Sequence, residues 1–186
     1  MSSEHTLRSL VGSRGTFGES ISELKIFLGG PAGAGKTSLT RFLIDNGWYG
    51  LDMDNKGTNR VLELLDAPAS HPAFQPRPLV IEGGFLDQAP RFQGLIERLG
   101  LTTFWLNGPR DKLIESRLQR RAYWDDVAAI TRTNWIGLIE QHRVKVRWDY
   151  EIQMWHPDGT RKTFEQVVYE IESCVLDKEH RTAPWQ

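Results

Sequence analysis

A single cysteine, Cys174, in 186 residues excludes an internal disulfide and any metal site built from a cysteine cluster, and it suits a reducing compartment. Charge of one sign is missing too. Lysine and arginine number 23 against 24 aspartates and glutamates, with the basic residues scattered, so the electrostatic footprint of an extended nucleic-acid binder is absent. No apolar run approaches the roughly 20 residues that span a bilayer, and residues 1–22 lack the apolar core of a signal peptide. A cytoplasmic protein without membrane association is expected. The five histidines show no metal-ligand spacing, and Cys174 reads as a helix residue of no special chemistry.

What is present is enough for one domain, since 186 residues with 39% hydrophobic content bury an ordinary core. Ser13, Arg14, Gly15, Thr16 and Gly18 break all periodicity, so 1–22 is expected to be a flexible extension, 23–178 the domain and 179–186 a C-terminal tail.

One segment carries specific chemistry. Leu24 to Ser38 reads Leu-Lys-Ile-Phe-Leu-Gly-Gly-Pro-Ala-Gly-Ala-Gly-Lys-Thr-Ser. Ile26, Phe27 and Leu28 predict a buried strand, while Leu39, Phe42 and Leu43 recur at helical spacing until Asn46 and Gly47 end the helix. Between them Gly30, Gly35, Lys36 and Thr37 satisfy G-x-x-x-x-G-K-[ST], the pattern of a phosphate-binding loop. Glycines let such a loop curl until successive amides face a polyphosphate, so the binding set is Gly30, Ala32, Gly33, Ala34, Gly35, Lys36, Thr37 and Ser38. Lys36 reaches the β- and γ-phosphates and the Thr37 hydroxyl is a ligand for Mg²⁺. Gly35 opens the helix, whose N-terminal dipole faces the same anion.

Further strands are predicted at Trp48 to Asp52, Leu79 to Ile81, Thr102 to Leu106 and Tyr150 to Trp155. Between them lie a short helical pattern at Arg60 to Leu65, a proline-rich loop over 67–78, and a helix marked by Phe92, Leu95, Ile96 and Leu99 and stopped by Gly100. Gly108-Pro109 starts a helix through Leu118, and Ile130, Leu138, Ile139, His142 and Val146 suggest a long one. A turn at His156 to Thr160 leads into a last amphipathic helix, with Thr163 and Gln166 spaced as a capping box. Strands alternating with helices predict an α/β fold, a parallel sheet covered on both faces.

Ligands of such a sheet gather where strands end, so the polar residues there are the site candidates. After the second strand come Asp52 and Asp54, with Arg60 beyond; Asp54 is placed to take a proton from an acceptor hydroxyl, and Asp52 to hold acceptor or metal. After the third come Glu82, Gly83 and Gly84, where a carboxylate serves Mg²⁺ or the acceptor and paired glycines admit a ligand to the backbone. Arg117, Arg120 and Arg121 share one helix face, from which Arg117 and Arg121 are candidates to stabilise a spreading γ-phosphate charge and Arg120 to bind the nucleotide.

From about Leu24 to Leu176 the chain resembles the P-loop kinases of small metabolites, the group with shikimate kinase, gluconate kinase and the nucleoside monophosphate kinases. Asp52-Met53-Asp54 is similar to the paired aspartates with which shikimate kinase holds its acceptor, and Glu82-Gly83-Gly84-Phe85 to that family's glycine triplet and to the Asp-Gly-Phe stretch of nucleotide kinases. The resemblance implies a P-loop NTPase fold, a five-stranded parallel sheet in order 2-3-1-4-5 with helices on both faces. It also implies ATP with Mg²⁺ and a mobile lid around Arg117 to Asp126. Two glycines stand where shikimate kinase has three, and no arginine directly follows Phe85, so the resemblance names no acceptor.

Two functions fit these residues. One is an ATP-dependent phosphotransferase acting on a small hydroxylated or phosphorylated molecule. The other is a nucleotide-dependent regulatory ATPase or switch that acts through a protein partner and does not require Asp54. A GTPase version fits poorly, because Asn55-Lys56-Gly57 follows the second strand rather than a late one.

Overall fold

The computed structural model describes residues 24–52, 61–83, 89–119, 143 and 146–182. The flexible extension expected over 1–22, and most of the long helix expected up to Val146, lie outside them.

Five strands make one parallel sheet: β1 (Lys25–Gly29), β2 (Tyr49–Asp52), β3 (Leu79–Glu82), β4 (Thr102–Asn107) and β5 (Tyr150–Gln153). Their order is β2-β3-β1-β4-β5, as expected. β1 lies at the centre, with Leu28 paired to Glu82 of β3 on one side and to Phe104 of β4 on the other. A central parallel strand is buried on both faces, which is why Lys-Ile-Phe-Leu-Gly shows no polar alternation.

Among the described residues, the helices that flank the sheet are α1 (Lys36–Asp45), α2 (Ala89–Leu99), α3 (Arg110–Leu118) and α4 (Phe164–Thr182). Pleating sends Ile26 and Leu28 to one face and Phe27 to the other, so two cores form. The first joins Leu39 and Leu43 of α1, Leu113 of α3, and Val167 and Ile171 of α4 to Phe104 and Leu106 of β4. The second joins Phe92, Leu95, Ile96 and Leu99 of α2 to Phe27 and Ile81. Each fully buried leucine or isoleucine side chain contributes about 1.5–3 kcal/mol relative to exposure.

Local signals end the helices where the residues say they should. Asn46 and Gly47 close α1, with the Asn46 side-chain amide donating to the Phe42 carbonyl at 2.7 Å and Gly47 at φ 92°. The capping box of α4 is reciprocal: Thr163 N–H donates to Gln166 Oε1 at 2.9 Å and Gln166 N–H to Thr163 Oγ1 at 3.3 Å.

Several boundaries differ from expectation. Glu82 is the last residue of β3 rather than the first after it, because its backbone still pairs with Asp52 and Leu28. Pro109 precedes α3 and its carbonyl accepts the first helical bond from Leu113 N–H. The pattern at Arg60 to Leu65 ends in a 3-10 turn at Glu63–Leu65, and the proline-rich loop holds another at Pro72–Phe74. Val146 sits in a bend, buried against the second core, and not in a helix. β5 stops at Gln153, since Trp155 instead pairs antiparallel with Arg161 and closes a small hairpin.

The chain entering β5 is fastened to β4. Asp149 accepts from Thr103 N–H at 2.9 Å and lies 3.1 Å from the Thr103 hydroxyl, which in turn accepts from Asp149 N–H at 2.8 Å. The hydroxyl also faces the Arg147 carbonyl at 3.1 Å, and its single proton serves one of these two acceptors at a time. Thr103 is buried, so Thr103→Val keeps the shape but leaves buried groups without their hydroxyl; unfolding in urea should show a loss of about 1–3 kcal/mol.

Candidate active site

The loop leaving β1 is the densest concentration of functional geometry. Gly30, Gly33 and Gly35 have φ of 143°, 96° and 95°, values that side chains with a Cβ rarely adopt. A Cβ on Gly30 would run into the Leu106 carbonyl oxygen at the end of β4, and one on Gly33 into the Leu113 carbonyl oxygen of α3. Gly33 is no part of the minimal motif, yet it is as tightly constrained. Ala34 N–H donates to the Pro31 carbonyl at 3.2 Å, and Gly35 serves as N-cap of α1.

Lys36 curls back into this loop. Its Nζ donates to the carbonyls of Gly30 at 2.9 Å and Pro31 at 3.4 Å, and the residue is only 7% exposed. An ammonium held among backbone dipoles and shielded from bulk water interacts with an anion more strongly than one waving in solvent. Of the other loop residues, Gly33, Ala34 and Gly35 are buried, Ala32 and Thr37 are half-buried and Ser38 is exposed.

Glu82 is completely buried beside the stem of the loop. Gly83 N–H donates to the Leu28 carbonyl at 3.1 Å, so the chain after β3 passes directly by the end of β1. Asp52 is brought to the same level by its backbone pairing with Glu82. Arg117 lies on α3. Asp54, Arg60, Gly84, Arg120 and Arg121 lie outside the described residues.

Two contributors carry no motif. Trp148 stacks on Phe27 with centroids 5.7 Å apart, stands edge-on to Trp105 at 5.0 Å, and donates from Nε1 to the Arg143 carbonyl at 3.0 Å. Its ring fills the space where a Gly29 side chain would go. Arg161, on the hairpin after β5, reaches the carbonyl of Ala34. Only the turn residues Pro157, Asp158 and Gly159 hinted at this hairpin, and they specify a turn without saying what it touches. The turn is tight: Asp158 Oδ1 accepts from both N–H and hydroxyl of Thr160, at 2.8 and 2.6 Å, which holds its carboxyl below the usual range. Trp48, Trp105 and Trp155 are buried and act as packing residues. Burial pushes the Cys174 thiol up, with the charges of Asp177 and Glu170 adding to it.

This is the fold of the P-loop small-molecule kinases. The chain is similar to shikimate kinase from Acinetobacter baumannii, solved with shikimate, at 18% identity and a TM-score of 0.56 over 86% of this chain and 96% of that one. It is also similar to a gluconokinase from Sinorhizobium meliloti, at 14% identity and a TM-score of 0.52 over 86% and 95%. No protein-family model matches the sequence, and no curated protein matches it. Among the described residues no helix is long and apolar enough to cross a membrane.

Gly33→Ala tests the packing of the loop. It forces a Cβ toward a backbone oxygen that no rotamer change can move, and it adds the strain of a non-glycine residue at positive φ, itself about 1–3 kcal/mol. Thermal unfolding should move down by several degrees, whereas Ala32→Ser, at a half-buried position, should leave it unchanged.

Proposed function

We propose that the protein is an ATP-dependent phosphotransferase that moves the γ-phosphoryl group to a small acceptor bearing a hydroxyl or phosphate. The observation that carries this reading is the preformed loop with the Lys36 ammonium already inside it, bonded to the Gly30 and Pro31 carbonyls. A site organised before the ligand arrives loses little free energy to reorganisation when charge shifts in the transition state.

In this reading the loop amides and Lys36 bind the β- and γ-phosphates. The donor set suits Mg²⁺, since the Thr37 hydroxyl and the buried Glu82 carboxylate are hard oxygen donors, and Asp52, whose backbone pairs with Glu82, would add a second carboxylate. When bound, Mg²⁺ would neutralise phosphate charge that develops during transfer. Asp54 takes the proton of the attacking hydroxyl, while Asp52, Arg60, Gly83 and Gly84 position the acceptor. Arg117 and Arg121 stabilise the transferring group and Arg120 assists nucleotide binding. Positioning and electrostatics suffice for this chemistry, because a largely dissociative phosphoryl transfer needs little covalent help from the protein.

The test is a metabolite-library screen with ATP and Mg²⁺, read as ADP release. An acceptor that accelerates release at least a hundredfold over ATP alone, by the scale of general-base and positioning effects, is the expected result. Lys36→Ala should then lower turnover by orders of magnitude with the fold intact. Asp54→Asn should keep ATP binding by calorimetry and lose transfer. Full transfer in Asp54→Asn removes that residue from the mechanism; a broad screen with no acceptor favours a nucleotide-dependent switch.

A further inference from the structure

The geometry points to Arg161 as a positioning residue that orients the phosphate loop from outside, a role that rests on the nucleotide-binding reading above. Its place on the hairpin after β5 is set by the antiparallel bridge to Trp155, and its guanidinium carbon lies 5.1 Å from the centroid of that buried ring. From there Nη1 donates to Ser116 Oγ on α3 at 3.3 Å and Nη2 donates to the Ala34 carbonyl at 3.4 Å. A Cβ on Gly35 would run into Nη2, so the guanidinium lies directly against the residue that opens α1.

The consequence follows from the geometry of an amide. A trans peptide is planar, with its C=O and N–H pointing in opposite directions. A cation that draws the Ala34 carbonyl toward the hairpin therefore turns the Gly35 N–H to the opposite side of that peptide, away from the hairpin. Arg161 thus sets the direction of one of the amides a polyphosphate would meet, without touching the phosphate itself. Charge adds to the effect. The guanidinium stands at the N-terminus of the ten-residue α1, where the helix dipole is already positive and the Lys36 ammonium is near. Cations gathered at a positive helix end repel one another, and a bound polyanion relieves that repulsion. Arg161 therefore favours the liganded loop on both counts.

The experiment is calorimetric titration with MgADP and, separately, with inorganic pyrophosphate, neither of which needs an acceptor. Arg161→Ala should weaken both by about tenfold, the scale of one hydrogen bond involving a charged group. The two losses should be equal, because the residue acts on the loop and not on the base. Arg161→Lys keeps the charge and one long donor but loses the two-pronged fork and the flat face over Trp155, so its affinities should fall between those of wild type and alanine. Arg161→Met keeps the stem against Trp155 without any donor, and it makes the same comparison should the alanine variant melt early. Wild-type affinity in Arg161→Ala or Arg161→Met, with binding lost in Lys36→Ala, overturns the role of Arg161 and leaves the nucleotide reading standing. A loss seen with MgADP but not pyrophosphate, or a lysine variant as weak as alanine, overturns it as well. Wild-type protein that binds neither ligand overturns both readings together.

Discussion

The glycine-rich loop after β1 is pressed backbone to backbone against its neighbours, and the arrangement of the upper end of the sheet depends on that approach. Gly30 meets the end of β4 and Gly33 meets α3, each where a single methyl group would strike a carbonyl oxygen. Such contacts have no flexible member. A side chain can change rotamer, but a carbonyl belonging to a strand or a helix moves only if its element moves. The loop is therefore held as firmly as the strand and helix it rests on, and the Lys36 ammonium is bonded to carbonyls of that same loop.

That rigidity gives meaning to the two-sided core. β1 delivers the loop, and β1 is fixed by partners on both edges and by hydrophobic layers on both faces. Glu82 and Asp52 arrive at the same level because parallel strands in register end together. At 18% and 14% identity, the similarity to a shikimate kinase and a gluconokinase reflects this shared physical frame of strand, tight loop and helix, and it does not carry the identity of an acceptor.

How much of this was legible in the sequence depended on how local the cause was. The strand Ile26 to Leu28, the loop glycines, the Asn46-Gly47 stop and the Thr163–Gln166 box are all encoded within a few residues, and each sits where the residues place it. The sheet order came from the resemblance that the loop supported. Glu82 was displaced by one position, because strand length is set by pairing with neighbours and not by where apolar residues stop. Arg161 and Trp148 were out of reach for a stronger reason. Arg161 lies 127 residues from Ala34, and no spacing rule relates a basic residue after a turn to a carbonyl so far away. Trp148 counted only as one of seven tryptophans until the fold brought it to Gly29.

Gly29 and Trp148 occupy one volume between them. The indole takes the place that any side chain at position 29 would need, and it is fixed there by Phe27, Trp105 and the Arg143 carbonyl. The two positions are therefore free to vary only as a pair. Bulk at 29 requires its surrender at 148, and the energetic effects of changing both will not be the sum of changing each. The identity of a residue far along the chain thus sets how large the last residue before the glycine-rich loop is allowed to be.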